Sequence, residues 1–312
     1  MPQELPPRLF DETQIQRNRE RAAGHYPDFA FLKARAADGL IERLEDSTRR
    51  FPVACDIGCH DGTLARQLAA HEKTDTVLAL DRAPGMAALA SSPAVTAFVG
   101  NEETLPLAEG RFDLAASVLS LHWANDLPGA LIQIRRALKP DGLFLGALFG
   151  AGTLSELRTT LLEAESDVRG GAAARMSPLP GLQDMAALMQ RTGFALPVCD
   201  VDRITVRYDS PFRLLQDLRG MGERAAFAAD RRPPALTRAV LGRMAELYMA
   251  RYADPDGRIR ATFELIWLSG WAPADSQPKP LRPGSARASL AEAVGAKEQS
   301  AGEKAGGGSA DR

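Results

Sequence analysis

The sequence predicts an α/β fold: a mostly parallel, seven-stranded sheet with helices on both faces, preceded by N-terminal helices and extended by added helical elements. Three observations predict it. Between Phe51 and Gly150 short apolar runs, VACDIG, VLALD, VTAFVG, FDLAASVLSL and GLFLGALF, alternate with helical stretches, as parallel strands covered on both faces do. Two later strand-like runs, CDVDRITVRY (Cys199–Tyr208) and ATFELIWLSGW (Ala261–Trp271), bring the number of strands to seven. The composition, 45% hydrophobic and 25% charged over 312 residues, is that of a globular chain long enough to bury a sizeable core.

Taken in order, residues 1–50 read as a helical segment. Asp11 with Gln14 three residues on resembles a capping box, and the polar stretch to Ala23 follows it. A second helix is predicted from Pro27 to Leu44, where Phe29, Leu32, Ala36, Leu40 and Leu44 recur at helical spacing. Residues 51–150 carry the first five strands and form the ligand-binding core. Residues 151–272 complete the sheet, with helices at Leu154–Val168, Leu182–Thr192, Pro211–Leu218 and Pro234–Tyr252. Leu154–Thr192 and Met221–Asp256 are expected over the carboxyl edge of the sheet, on the substrate side. Residues 273–312, rich in Pro, Ala, Gly, Ser and charge, are expected to be largely disordered.

The balance of 38 Lys and Arg against 40 Asp and Glu gives a net charge of −2 and no overall basic field for a phosphate backbone, so nucleic acid is not the expected partner. Three cysteines, Cys55, Cys59 and Cys199, supply neither a disulfide framework nor a four-thiolate zinc site and suit a reducing compartment. The start MPQELPPRLFDE has the character of neither an export signal nor a transit peptide, and there is no apolar stretch long enough to span a membrane. A cytoplasmic protein is expected.

The strongest local signal is Asp56-Ile57-Gly58-Cys59-His60-Asp61-Gly62, between a strand and the helical TLARQLAAH. Small residues there let the backbone approach a ligand at a helix N-terminus. Asp81 ends the next strand, where an acid can accept hydrogen bonds from both ribose hydroxyls; a nicotinamide nucleotide would use the same geometry. Asn101 and Glu102 follow the third strand, and LKPDGLFLGALF follows the fourth. This ordered series resembles class I S-adenosylmethionine-dependent methyltransferases, whose sheet is Rossmann-like. The resemblance implies S-adenosylmethionine as cofactor, with Asp56, Gly58 and Gly62 along its methionine moiety, Asp81 at the ribose, and Asn101 with Glu102 near the adenine. His60 departs from the usual D-x-G-x-G-x-G: it replaces the middle glycine, and either crowds the cofactor or points outward as a turn residue.

Longer motifs narrow the resemblance. LFDETQIQRNRERAA (Leu9–Ala23), SVLSLHWANDLPGAL (Ser117–Leu131), LKPDGLFLGALFGAGTLSELR (Leu138–Arg158), LLQDLRGMGE (Leu214–Glu223) and LRPGSARASL (Leu281–Leu290) are similar to the mitochondrial complex I assembly factors that are methyltransferase-like protein arginine hydroxylases. A bacterial relative is implied, an enzyme that hydroxylates or methylates an arginine of a protein substrate, the small iron–sulfur subunit of NADH:quinone oxidoreductase. Two alternatives stand beside it. The malonyl-acyl-carrier-protein O-methyltransferases share the fold but carry Gln-Trp where this chain has His122-Trp123, and a non-catalytic assembly chaperone could retain the same fold.

His122, at the mouth after the fourth strand, can serve as a base at neutral pH or simply pack over the cofactor. Asp126 can orient His122 or cap the following helix. The four histidines, His25, His60, His71 and His122, are scattered and never occur as H-x-D or H-x-E, so no metal site is expected. Tyr248, Met249 and Tyr252 read as core or cavity lining, and Arg17, Arg19 and Arg21 as a solvated helix face or a surface for an acidic partner. Cys55 and Cys59 read as small buried hydrophobes.

Overall fold

Among the described residues seven strands form one sheet in the order β3-β2-β1-β4-β5-β7-β6: β1 (Val53–Ile57), β2 (Thr76–Asp81), β3 (Val95–Val99), β4 (Phe112–Val118), β5 (Leu138–Phe149), β6 (Ala195–Tyr208) and β7 (Ile259–Trp271). The first five are parallel, and β7 inserts antiparallel between β5 and β6. The computed structural model describes residues 8–278 and residue 295. Its described residues through Asp275 form one compact unit; the chain from Ser276 is a second, of which four residues are described. Apart from residues 273–278 and 295, the tail expected to be disordered lies outside the described residues, as does LRPGSARASL.

The strand order reverses between β1, which leads outward to β2 and β3, and β4 on its other side. In open sheets of this kind, ligands bind outside the carboxyl ends of the strands at such a reversal. Two apolar clusters sandwich the sheet. On one face, α2 (Phe31–Glu45) and α3 (Thr63–Ala70) bury Leu40, Leu44, Leu64 and Leu68 completely, each leucine contributing on the order of 1.5–3 kcal/mol. On the other, α5 (Leu127–Ala137) and α7 (Leu182–Arg191) set Leu131, Ile134, Met185 and Met189 against Phe144, Ile266 and Leu268. The short helix α4 (Pro84–Ala90) packs beside β2 and β3 and touches α1 (Glu12–Ala23).

Three boundaries and one placement differ from those read in the sequence. Pro27 starts a single 3-10 turn, Tyr26–Asp28, which buries Tyr26, and α2 begins only at Phe31. Pro233 and Pro234 stay outside α9 (Arg238–Tyr252), whose first turn is capped instead by the Thr237 hydroxyl. Strand β6 starts before Cys199, across a bulge where Leu196 has φ +49°. Helix α7, expected over the carboxyl edge, lies on a face of the sheet because Met185, Leu188 and Met189 form an apolar stripe. Helices α6 (Ser155–Arg169), α8 (Pro211–Gly220) and α9 pack on one another and on β6 and β7, and their apolar residues join the cluster of α2 and α3.

Candidate functional site

The turn after β1 is built from backbone that only a few residues tolerate. Gly58 has φ +71° and Gly62 φ +78°, and His60 between them has φ +50°, a left-handed conformation that histidine adopts more readily than most side chains. Gly58 is required for a second reason. A Cβ there would lie 2.0 Å from Ser120 Oγ and 3.2 Å from Glu102 Oε1. At Gly62 the Cβ would meet the backbone of Ala90 in α4. The glycines thus admit the protein's own side chains and helices to this turn.

His60 is buried, so the outward-pointing turn residue is not what forms. Its backbone N–H donates to Asp81 Oδ2 at 3.1 Å, and its Nδ1 lies 2.8 Å from the ammonium of Lys33 on α2. Lys33 also donates to Gly58 O at 2.7 Å and Val118 O at 2.9 Å. His60 Nδ1 also lies 2.8 Å from Gly58 O, so the imidazole and the ammonium converge on the same carbonyl. Burial pushes the His60 pKa well down, and the charges of Lys33 and Arg19 push it further, so the ring is neutral. Burial likewise lowers Lys33, against the pull of Asp56.

The acids predicted from the sequence gather around this turn. Asp81, fully buried at the end of β2, accepts from Ala83 N at 2.9 Å on Oδ1 and from His60 N and Arg19 Nη1 on Oδ2. Glu102 accepts at 2.6 Å from both Arg19 Nη1 and Ser120 Oγ, and from Arg82 Nε at 2.8 Å. Burial alone would raise the Glu102 pKa; the guanidiniums of Arg19 and Arg82 overcome it and hold the carboxyl well below its usual range. Asn101 sits at the edge of this network, donating to Glu12 Oε2 and accepting from Glu103 N. Asp56 is different: it is fully buried, and neither of its oxygens accepts a hydrogen bond of ordinary geometry among the described residues, although the Ala65 N–H lies near enough to favour its charged form. Burial pushes its pKa up to about 6.

Arg19 is the residue that links these acids. Only 1% exposed, it also donates from Nη2 to Ser120 Oγ at 2.8 Å. Its placement corrects the reading of Arg17, Arg19 and Arg21 as one solvated face. The signal was present: Arg19 shares a stripe with Ile15, Ala22 and Ala23, all buried, four residues from the first and three or four from the others. The two carboxylates and the Ser120 hydroxyl meet its donors and offset the cost of burying a guanidinium there.

A second cluster lies beside the first. After β4 the chain makes a single 3-10 turn, Leu121–Trp123, that buries His122 and Trp123. Glu223 Oε2 accepts from Trp123 Nε1 at 2.8 Å and lies 3.2 Å from His122 Nε2. Helix α8 sets that carboxylate in place: it ends on Gly222 at φ +79°, and Glu223 N donates back to Leu218 O at 2.9 Å. Among the described residues His122 Nδ1 is buried without a hydrogen-bond partner. Asp126 is exposed, and its Oδ1 caps α5 by accepting from Gly129 N at 2.9 Å. The orienting acid is therefore Glu223, which belongs to LLQDLRGMGE but has no separate signal in the sequence.

His122, Trp123 and Glu223 line a cavity of about 930 Å³ at the carboxyl edge, walled by Phe149, Leu157, Leu161, Leu215 and Phe263. That size is in the range of small-ligand and side-chain sites. Tyr248 is core, its hydroxyl donating to Arg260 O at 2.9 Å. Among the described residues no three of His, Cys, Asp and Glu are grouped to hold a metal ion, and no helix is long and apolar enough to cross a membrane.

The sheet order, the glycine turn after β1 and the acids ending β2 and following β3 define a protein of the methyltransferase fold. The Methyltransferase domain family matches residues 55–146. The solved YcgJ protein of Bacillus subtilis superposes with a TM-score of 0.52 at 18% identity, covering 75% of this chain and 98% of its own. Mouse (Mus musculus) arginine-hydroxylase NDUFAF5, mitochondrial, is 39% identical over 292 residues, 91% of this chain and 83% of that protein. The chain belongs to the family of that arginine hydroxylase. It is also 32% identical to the malonyl-[acyl-carrier protein] O-methyltransferase of Methylovorus sp. (strain MP688), over 85% of this chain and 90% of that one.

Proposed function

We propose that this protein is a methyltransferase-fold enzyme that modifies an arginine side chain of a protein partner, with S-adenosylmethionine as its cofactor. What carries the reading is that likeness to the arginine hydroxylase extends over 91% of the chain, well beyond residues 55–146 and into the segments that wall the cavity. The residue set suits an adenosyl sulfonium. Asp56 offers a buried carboxylate, with no side-chain donor on it, for the methionine ammonium, and Asp81 and Glu102 are acceptors of the type that hold ribose and adenine. When bound, such a cofactor supplies an activated methyl group on a positively charged sulfur. In this conformation Arg19 engages both Asp81 and Glu102, so this chain binds a nucleoside there by exchanging those hydrogen bonds.

The modification is hydroxylation, as the relatives' name states, or methylation, as the fold would suggest. The partner is the small iron–sulfur subunit of NADH:quinone oxidoreductase, following the resemblance of the long motifs. Free thiols at Cys55, Cys59 and Cys199 suit a reducing, cytoplasmic setting. Mass spectrometry of that subunit from wild-type cells and cells lacking this protein tests the reading. One arginine should carry an added oxygen or methylene in the wild type only, and an unmodified arginine in both strains overturns it. A carrier-protein methyltransferase is the second reading, favoured by the arginines around the cavity, Arg21, Arg219 and Arg224. Rescue of biotin-free growth in a strain lacking the malonyl methyltransferase would support it.

A further inference from the structure

We infer that the cavity beside the 3-10 turn receives a cationic side chain, an arginine presented between acidic neighbours on a peptide, and that Glu223 is the carboxylate that binds it. The inference rests on the reading of this chain as a protein-modifying enzyme and names the recognition site which that reading lacks.

Glu223 is the only carboxylate lining the cavity among the described residues. Its Oε2 is taken by Trp123 Nε1 and His122 Nε2, whereas Oε1 accepts no hydrogen bond among the described residues. The side chain is 12% exposed, so it is desolvated on most sides and open toward the cavity. Arg19 acts on this charge through space, but its donors go to Asp81, Glu102 and Ser120, so the free oxygen of Glu223 has no cationic donor of its own. A guanidinium satisfies the free oxygen with a charge-assisted hydrogen bond, and Trp123 and His122 act as positioning residues that hold the acceptor still. The approach is apolar: Phe149, Leu157, Leu161, Leu215 and Phe263 suit the methylenes of an arginine side chain and offer no competing polar group.

The cavity lining also carries charge of the other sign. Arg21, Arg219 and Arg224 line it, are exposed, and make no ion pair among the described residues. They favour carboxylates flanking the inserted residue. A cation-binding acid amid basic neighbours matches an arginine in an acidic sequence. A small dicarboxylate or malonyl thioester would meet the arginines but set its own negative charge against Glu223, at a cost in a desolvated cavity.

Calorimetry on the full chain tests this with two synthetic pentapeptides, one with a central arginine between acidic residues and one with citrulline, its neutral isostere, in that place. The wild type should bind the arginine peptide at least about tenfold more tightly, the scale of a hydrogen bond to a charged group. Glu223→Gln should bring the two affinities together, and Glu223→Asp, which keeps the charge on a shorter arm, should restore part of the preference. Equal binding of both peptides by the wild type overturns the inference, as does a preference that survives Glu223→Gln, or tighter binding of a malonyl thioester than of the arginine peptide. If Glu223→Gln does not fold, the wild-type peptide pair alone decides. A Glu223-dependent preference in a protein that leaves the partner's arginine unmodified in cells retires the enzymatic reading and keeps the anchor. Modification in cells without any arginine preference does the reverse.

Discussion

Asp56 shows how one residue couples stability to function. Burial raises its pKa from 3.8 to about 6, against the opposing pull of Lys33. Between those two values the folded protein holds a proton that the unfolded chain has released, so this group's contribution to stability falls as pH rises and its full cost is present above about pH 6. Asp56→Asn removes the ionisation. The stability of the variant relative to wild type should therefore move in its favour by on the order of 2–3 kcal/mol between about pH 4 and pH 8, read by urea unfolding. His60 works with the opposite sign: its pKa is pushed down, so the unfolded chain takes up a proton that the folded one refuses, and that contribution is lost as pH falls. Both forms of the protein carry His60, so the difference between them isolates Asp56. A gap independent of pH would mean that the carboxylate is bonded in solution. The residues of this site were legible in proportion to their closeness in sequence. Asp56, Gly58 and Gly62 lie in one turn, whereas 62 residues separate Arg19 from Asp81 and 101 separate His122 from Glu223.

At the scale of elements, the signals that end helices were legible and the partners of their faces were not. Asp126 could be read either as a cap or as a partner of His122, and its bond to Gly129 N decides for the cap. Asp126→Ala should cost about 1 kcal/mol of stability and leave arginine modification at its wild-type level. Thermal unfolding and mass spectrometry together check this; lost modification at unchanged stability would return the orienting role to Asp126. Prolines set two boundaries later than the apolar period suggested, because Pro27 favours a 3-10 turn and Pro233 and Pro234 precede the cap at Thr237. The docking of α1 was beyond local reading. Asn125 Oδ1 accepts from both Leu9 N and Phe10 N at 2.8 Å, and Phe10 packs edge-on against Trp123 with ring centroids 5.2 Å apart. Those contacts hold the start of α1 in register, and with it the guanidinium of Arg19.

For the whole molecule, the last strand is a structural necessity. Strand β7 lies between β5 and β6 and buries Leu265, Ile266 and Leu268 against both layers. A chain ended at residue 258 should lack a cooperative unfolding transition and a near-ultraviolet dichroism signal, since it exposes two unpaired strand edges and opens both apolar clusters. A truncated chain that melts cooperatively would show that the first five strands are self-sufficient. The sequence by itself determined the class of the fold, its seven strands and the acids at the carboxyl ends of β2 and β3, because apolar period, turn residues and strand ends are local properties written in consecutive residues. Only the tertiary structure decided that Arg19 is buried between those acids, that His60 faces inward onto Lys33, and that Glu223 is the acid beside His122. Each is a pairing of charges brought together by the packing of separate elements, and no pattern within one element specifies its partner in another.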